Sequence, residues 1–442
     1  MGTLASVWRT FVVEPARPAA TPAFDTSIWR VLGNPLVGSE CDGPLCGSTI
    51  AVKDLYDVVG FAVGAGIPEY LRERAVAIDS APALRSLLGA GATVRGIAQT
   101  DEFAYSIAGA NVHYGTPPNA RVPDALPGGS TSGPASAVAL GQADIGLGTD
   151  TAGSIRVPAS YQGLWGLRST QDAVDRRGLL PLAPRFDAVG WLTRTPDVLR
   201  IAVAQSVQPQ LQRAAPRRYA VAASVVSSLD DDVQSAFLGA VNQLETADHI
   251  AQVDMVDVGD LSRLFQAFRT VQAAEAWQSH GGWVRAHPGV LGADVAARFD
   301  WASRVTGSAD RAARATLEDA REGLDDVLQN RVLLLPSTSS TAPRRNETAA
   351  TLDRTRSATL ALTCLAAIGG YPALSAPLLS VAGAPLGLGL VGPRFSDLAL
   401  VDAAAELSGW LPEGLLNGAS DGLSDGPSDG LPDARARAGR FA

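Results

Sequence analysis

The sequence has few of the residues that build disulfide frameworks and metal centres. Its 442 residues include three cysteines and four histidines. An odd, small number of cysteines cannot form a disulfide framework and is typical of a reducing compartment. The histidines show no spacing that suits metal ligands. We therefore expect no metal, no cofactor and a cytoplasmic location.

Long apolar runs and dense basic clusters are also missing. No apolar run reaches the roughly 18 residues that a membrane-spanning helix needs. Lysine and arginine total 36 against 45 acidic residues, so the formal net charge is −9. These absences argue against a membrane or a nucleic acid as partner. Hydrophobic residues make up 46% of the chain, enough for a large core. The composition does not exclude a homodimer.

Two glycine-rich loops that carry serine lie close together within residues 126–168. The first is GGSTSG at residues 128–133, and the second is GTDTAGS at residues 148–154. Glycine allows close backbone approach, and such loops let backbone N–H groups converge on a small anion. The two loops together predict a serine nucleophile beside an oxyanion hole.

Ser154 would lie between a buried strand at residues 144–147 and a helix that begins after it. The positive end of the helix dipole would then favour negative charge on a substrate carbonyl oxygen. One alternative is a phosphate-binding loop, but the pattern G-x-x-x-x-G-K-[ST] is absent. Another is a Ser-His-Asp triad using His113, but Ser154 lies in no G-x-S-x-G elbow. A third alternative is that the two loops are ordinary surface turns.

Lys53 ends a predicted strand at residues 48–54. If the strand is buried, desolvation disfavours the charged amine and lowers its pKa. A neutral lysine can act as a general base. Taken alone, however, the residues favour a solvated lysine at a strand end.

Strand and helix patterns alternate along the chain, and a helix is predicted at residues 100–107. This rhythm predicts the α/β class: one large domain with a mixed, mostly parallel, twisted β-sheet covered by helices on both faces. We expect a wrapping segment at residues 1–45, the domain at residues 46–417, and a disordered Ser-Asp-Gly-rich tail at residues 418–442.

Three separated segments together resemble the amidase signature family. They are AVKD at residues 51–54, the Gly129-Ser130 loop and residues 148–154. The similarity covers roughly residues 45–410. It implies a Ser–cis-Ser–Lys triad, with Ser154 as nucleophile, Ser130 as bridging serine after a cis peptide bond, and Lys53 as base.

The resemblance also implies how the loops support that triad. Four consecutive backbone N–H groups would form the oxyanion hole: those of Thr151, Ala152, Gly153 and Ser154. Three further residues match supporting positions: Thr131, Asp150 and Arg156. Ala152 stands where the family commonly has glycine, so we expect an acyl pocket narrowed by one methyl group.

The function that the resemblance implies is hydrolysis of a small carboxylic amide to acid and ammonia through a Ser154 acyl-enzyme, with Ser130 relaying protons to Lys53. Residues 101–107 and 112–117 look like indole-3-acetamide hydrolases, which favours an aryl or alkyl amide. Residues 151–154 also resemble allophanate and carboxybiuret hydrolases. A glutaminase-type A subunit of a tRNA-dependent amidotransferase, and a non-catalytic binding protein, remain open.

Overall fold

The computed structural model describes residues 24–214, 216–246 and 250–411, and its strands form one eleven-stranded sheet. The strands are β1 (Trp29–Val37), β2 (Thr49–Lys53), β3 (Thr93–Ala98), β4 (Ile145–Asp150), β5 (Trp165–Arg168), β6 (Ala188–Thr193), β7 (Tyr219–Ala222), β8 (Asp254–Val256), β9 (Val332–Pro336), β10 (Ala373–Val381) and β11 (Ala384–Val391). The helices are α1 (Pro68–Glu73), α2 (Pro82–Gly89), α3 (Ser132–Ala139), α4 (Arg156–Gln162), α5 (Pro196–Ser206), α6 (Ala223–Val226), α7 (Asp231–Thr246), α8 (Leu261–Ala286), α9 (Ala293–Ser303), α10 (Gly307–Leu328), α11 (Ala349–Gly369) and α12 (Asp397–Ser408).

The strand order across the sheet is β1-β3-β2-β4-β6-β5-β10-β11-β9-β7-β8. The predicted α/β class and mixed sheet are confirmed, but parallel pairing is not in the majority. Four strand pairs are parallel and six are antiparallel. The parallel pairs lie in two blocks, β3-β2-β4 and β9-β7-β8. Between these blocks, β10 and β11 form a hairpin-like antiparallel pair that a simple strand-helix alternation does not predict.

Hydrophobic side chains pack on both faces of the sheet. In β2, Ile50 and Val52 belong to one buried cluster, whereas Ala51 belongs to a second cluster that includes side chains of α3 and α4. Successive strand residues point to opposite faces, so both faces are covered, as predicted. Lys53 lies two residues after Ala51. Its side chain therefore leaves the sheet on the face that α3 and α4 cover.

The helix predicted at residues 100–107 is wrong. The structure has only a short 3₁₀ turn there, Glu102–Ala104, and Phe103 has a left-handed φ of 48°. Backbone groups that would form hydrogen bonds within a helix form tertiary hydrogen bonds here instead. The carbonyl of Thr100 accepts a hydrogen bond from the Asn111 side chain at 3.0 Å, for example. Side-chain bonding of this kind competes with helix formation.

The N-terminal part of the described chain is built into the sheet rather than laid over it. β1 is an edge strand that pairs antiparallel with β3, although residues 1–45 were expected to wrap the surface. The sheet therefore begins before the expected boundary at residue 45. Residues 1–23 and the tail predicted at residues 418–442 lie outside the described residues.

Two of the three cysteines are joined in the structure. Cys41 and Cys46 form a disulfide across a short loop that holds their Cα atoms 4.8 Å apart, whereas Cys364 is free and buried. This pair departs from the reduced cysteines that the composition favours. None of the helices in the described part of the chain combines the length and the apolar character that crossing a membrane requires.

Candidate active site

Lys53 ends β2 beside the parallel strand β4. Their register pairs Val52 with Leu147, so the C-terminal ends of both strands lie at the same edge of the sheet. The chain after β4, residues 151–155, leads directly into α4, and residues 128–131 lead into α3. Loops that follow neighbouring parallel strands commonly meet at that edge to form a site.

The Lys53 amine is fully buried and surrounded by hydroxyl groups. Its Nζ lies 2.8 Å from Ser130 Oγ, 3.0 Å from Thr131 Oγ1 and 2.8 Å from Thr149 Oγ1. The Thr131 hydroxyl donates to the Thr149 carbonyl at 3.2 Å, so toward Lys53 it can only accept. A neutral amine has two protons and one lone pair. It can therefore donate to the two threonines while its lone pair accepts the proton of Ser130.

Burial lowers the pKa of Lys53 from 10.5 to about 7. Desolvation penalises the charged amine, and it outweighs the charges of Asp101, Asp150 and Asp187, which raise the pKa. Because the pKa of the folded state is near 7, a large fraction of Lys53 is neutral at physiological pH. The structure thus has a buried Lys53, whereas the residues alone favour a solvated lysine at a strand end.

The two serines lie in adjoining loops. The Gly129–Ser130 peptide bond is cis, as the resemblance implies. The backbone N–H of Thr131 donates to the carbonyl of Ser154 at 3.2 Å, and both serines are buried. Within the described residues, however, the Ser154 hydroxyl has no hydrogen-bond partner. The structure thus brings Lys53 and Ser130 into contact, whereas the step from Ser130 to Ser154 is not a hydrogen bond. Catalytic hydrogen bonds often tighten only in the substrate complex.

The four N–H groups predicted for the oxyanion hole are not equivalent. Gly153 donates its N–H to Asp150 Oδ1 at 2.8 Å, so this group already has an acceptor. The N–H groups of Thr151, Ala152 and Ser154 have no acceptor among the residues described. Gly153 has a φ of 121°, a conformation that glycine tolerates. The loop therefore leaves three donors for a substrate oxygen and uses the fourth to hold its own shape.

Asp150 holds the Ser154 loop in shape through hydrogen bonds to the loop backbone and to Arg156. Its carboxylate accepts from Arg156 Nε at 3.0 Å and Nη2 at 2.9 Å, and from the backbone N–H of Ile155 at 3.2 Å. Burial alone would raise the pKa of Asp150, but the guanidinium groups of Arg156 and Arg168 outweigh it and hold the pKa well below its usual range. A charged, multiply bonded carboxylate in the interior gives this loop a single geometry.

Comparison with known proteins shows the family to which the chain belongs. A family model described as Amidase matches residues 34–401. The chain belongs to the amidase signature family. It is 33% identical to Amidase 1 of Arabidopsis thaliana over 86% of this chain and 98% of that protein. It is 32% identical to a 2-amino-5-chloromuconic acid deaminase of Comamonas testosteroni, over 84% and 83% of the two chains. A crystal structure of an amidase superposes with a TM-score of 0.74 at 28% identity, over 84% of this chain and 86% of that one. The chain is accordingly an amidohydrolase that acts on linear amides.

Three residues of this amidase contact the site but were not predicted from the sequence. Thr149 accepts from Lys53, as described above. Asp187 accepts from the Thr151 hydroxyl at 2.6 Å, and Thr363 donates its hydroxyl to the Ala152 carbonyl at 2.6 Å. Thr149 could have been found from the strand pairing of Lys53. Asp187 directly precedes β6, and Thr363 lies in α11. Both are distant in sequence from the serine loops, so only the fold brings them to the site.

Ser154 opens into a narrow cavity of about 10 Å³, which holds about one water molecule. Ala152, at which the resemblance implied a narrowed acyl pocket, is one of the residues that line it. The cavity is lined mostly by residues from four other regions: Ala104, Tyr105, Ser106, Ile107, Leu182, Gln272, Arg356 and Leu360. A second cavity of about 600 Å³ shares Ile107 and Arg356 with it. The amidase thus has a small space at the nucleophile beside a larger one.

His113 lies outside this amidase site. Its Nε2 is 3.0 Å from Glu102 Oε1, and it contacts neither serine loop. We expect His113→Ala to keep kcat/KM within about threefold of the unmodified enzyme, because no proton passes through the ring. The measurement is ammonia release under identical conditions. A loss of two orders of magnitude in this variant would instead support a histidine base.

Proposed function

We propose that this amidase hydrolyses a small aryl or alkyl carboxamide to a carboxylic acid and ammonia through an acyl-enzyme on Ser154. The observation that carries the proposal is the buried Lys53 amine, 2.8 Å from Ser130 Oγ beside the Ser154 loop. A serine hydroxyl is a weak nucleophile until a base removes its proton. A lysine with a pKa of about 7 supplies that base at neutral pH.

In the acylation step, neutral Lys53 takes the proton of Ser130 as Ser130 takes the proton of Ser154. The Ser154 oxygen attacks the amide carbon, and the carbonyl oxygen becomes an oxyanion. The N–H groups of Thr151, Ala152 and Ser154 would stabilise it, because they lie in one loop and have no acceptor among the described residues. When the C–N bond breaks, the proton returns through Ser130 to the departing nitrogen, which leaves as ammonia.

In the second half-reaction, water attacks the acyl ester of Ser154. Lys53 takes the proton of the water through Ser130, and the same donors stabilise the second oxyanion. The ester C–O bond then breaks, so the acid leaves and Ser154 regains its proton. Asp150 and Arg156 support both steps by keeping the donor loop in place.

The proposal is tested by release of ammonia from the purified full chain without any partner. The amides are indole-3-acetamide, further aryl and alkyl amides, glutamine, allophanate and biuret derivatives. We expect equal amounts of ammonia and acid from at least one aryl or alkyl amide. Release from glutamine alone would favour the glutaminase subunit, and release from allophanate or biuret alone would favour that hydrolase class. No release from any amide, together with no labelling by a fluorophosphonate, would contradict the proposed function.

A further inference from the structure

Arg356 lies where three cavities of the enzyme meet. It lines the cavity at Ser154, the adjoining cavity of about 600 Å³, and a third cavity of about 220 Å³. It comes from α11, the helix that also contacts the nucleophile loop through Thr363. Among the described residues, Arg356 alone lines all three cavities.

Within the described residues, Arg356 has no counter-ion at ion-pair distance. Its Nε atom is buried without a hydrogen-bond partner, and no carboxylate of the described chain lies within ion-pair distance of the guanidinium. The other arginines of these cavities are occupied. Arg298 pairs with Asp294 and donates to the Tyr105 carbonyl at 2.7 Å. Arg345 donates to two backbone carbonyls, and Arg269 stacks on an indole ring. Among the four arginines of these cavities, Arg356 is the one whose guanidinium has no hydrogen bond, ion pair or aromatic ring contact within the described residues.

Gln272 is a second polar side chain without a partner in the same place. It is buried, with 6% of its surface exposed, and lines both the Ser154 cavity and the third cavity with Arg356. Its side-chain amide makes no hydrogen bond to the residues that the structure describes. Buried polar groups usually have hydrogen-bond partners, because leaving them unpaired costs free energy. Two such groups in one cavity wall indicate a ligand that supplies acceptors.

The charge of the cavity walls favours an anion. Four arginines and two aspartates line the two larger cavities: Arg269, Arg298, Arg345, Arg356, Asp294 and Asp353. Burial and the neighbouring charge of Arg298 lower the pKa of Arg356 to about 9, although the charges of Asp294 and Asp353 oppose this shift, so the guanidinium is cationic at neutral pH. A carboxylate matches the planar fork of a guanidinium with two parallel hydrogen bonds.

We propose that the amide substrate carries a carboxylate on its acyl part, which binds to Arg356 and accepts a further hydrogen bond from Gln272. The inference rests on the proposed function, since it concerns the acyl group that Ser154 receives. The substrate would be an aryl or alkyl half-amide of a dicarboxylic acid. The amide end lies at Ser154, and the apolar middle lies against Ile107 and Leu360.

Matched pairs of substrates test this in the unmodified enzyme. The pairs are hexanamide with adipic acid monoamide, and phenylacetamide with 4-(carbamoylmethyl)benzoate. We expect kcat/KM to be at least about tenfold higher for the carboxylate member of at least one pair. The preference should weaken as salt is raised, because salt screens charge pairing. Equal or faster turnover of the neutral member of both pairs would overturn the inference.

Two arginine variants on the same helix separate binding from folding. Arg356→Met keeps the length of the side chain and removes its charge, so the ratio of kcat/KM for the carboxylate member to kcat/KM for the neutral member should fall to about one. Arg354 is exposed and lines none of these cavities, so Arg354→Met should keep the preference. An equal loss for both members in Arg356→Met, or no change in either, would contradict the proposed contact.

If no amide reacts and no fluorophosphonate labels Ser154, the proposed function itself fails. Turnover of neutral amides without any carboxylate preference overturns only this inference.

Discussion

Replacing Lys53 with methionine is expected to lower kcat/KM for amide hydrolysis by about 10²–10⁴-fold. Methionine fills a similar volume but has no amine to accept the proton of Ser130. The three hydroxyl groups that now contact Nζ would remain in place without a base among them. The measurement is ammonia release at pH 8, where the unmodified lysine is mostly neutral.

The comparison requires a folded variant, so far-UV circular dichroism and thermal unfolding accompany the kinetics. His113→Ala provides the contrast, since it removes a titratable ring near the site without touching the relay. If folded Lys53→Met kept more than a tenth of the activity, Lys53 would not be the base.

Replacing Ser154 with alanine is expected to reduce turnover by about 10⁴-fold or more, because no acyl-enzyme can form. Labelling by a fluorophosphonate should disappear at the same time, since the probe attacks an activated serine. The measurements are ammonia release and intact-protein mass after exposure to the probe.

Ser106→Ala is the matched control for that variant. Ser106 lines the same narrow cavity, but its hydroxyl accepts from the Ala108 N–H at 3.2 Å and does not contact Lys53. This variant should label as the unmodified protein does. Labelling that survives in Ser154→Ala and is lost in Ser106→Ala would identify a different nucleophile.

The two serine loops could be predicted from the sequence because glycine at residues 128, 129 and 153 marks tight or close-packed loops. The roles of Ser130 and Lys53 came instead from the resemblance to the amidase signature family, since the residues around Lys53 alone favour a solvated lysine. The composition carries one further signal. Lys53 is the only lysine among 442 residues, whereas every other basic side chain is arginine or histidine. A chain that otherwise uses arginine but keeps one lysine marks that position as needing a titratable amine.

Other features depend on contacts that no local pattern specifies. The hydroxyl of Thr149 reaches Lys53 because β2 and β4 are parallel neighbours. The Gly153 N–H is used by Asp150 because the loop folds back on the end of its own strand. The antiparallel middle of the sheet and the non-helical Glu102–Ala104 turn likewise follow from tertiary partners. The role proposed for Arg356 could not be predicted from the sequence, because its lack of a partner depends on contacts that only the fold shows.

The pKa of Lys53 can be measured directly, because it is the only lysine of the sequence. Protein grown with ¹³C-labelled lysine should give one lysine side-chain resonance, which can be followed by NMR as pH is raised. We predict a midpoint near pH 7 in the folded enzyme, and one at about 10.4 when the same sample is unfolded in urea. A folded-state midpoint near 10.5, the ordinary lysine value, would mean a charged amine at neutral pH and would contradict the role of Lys53 as the base.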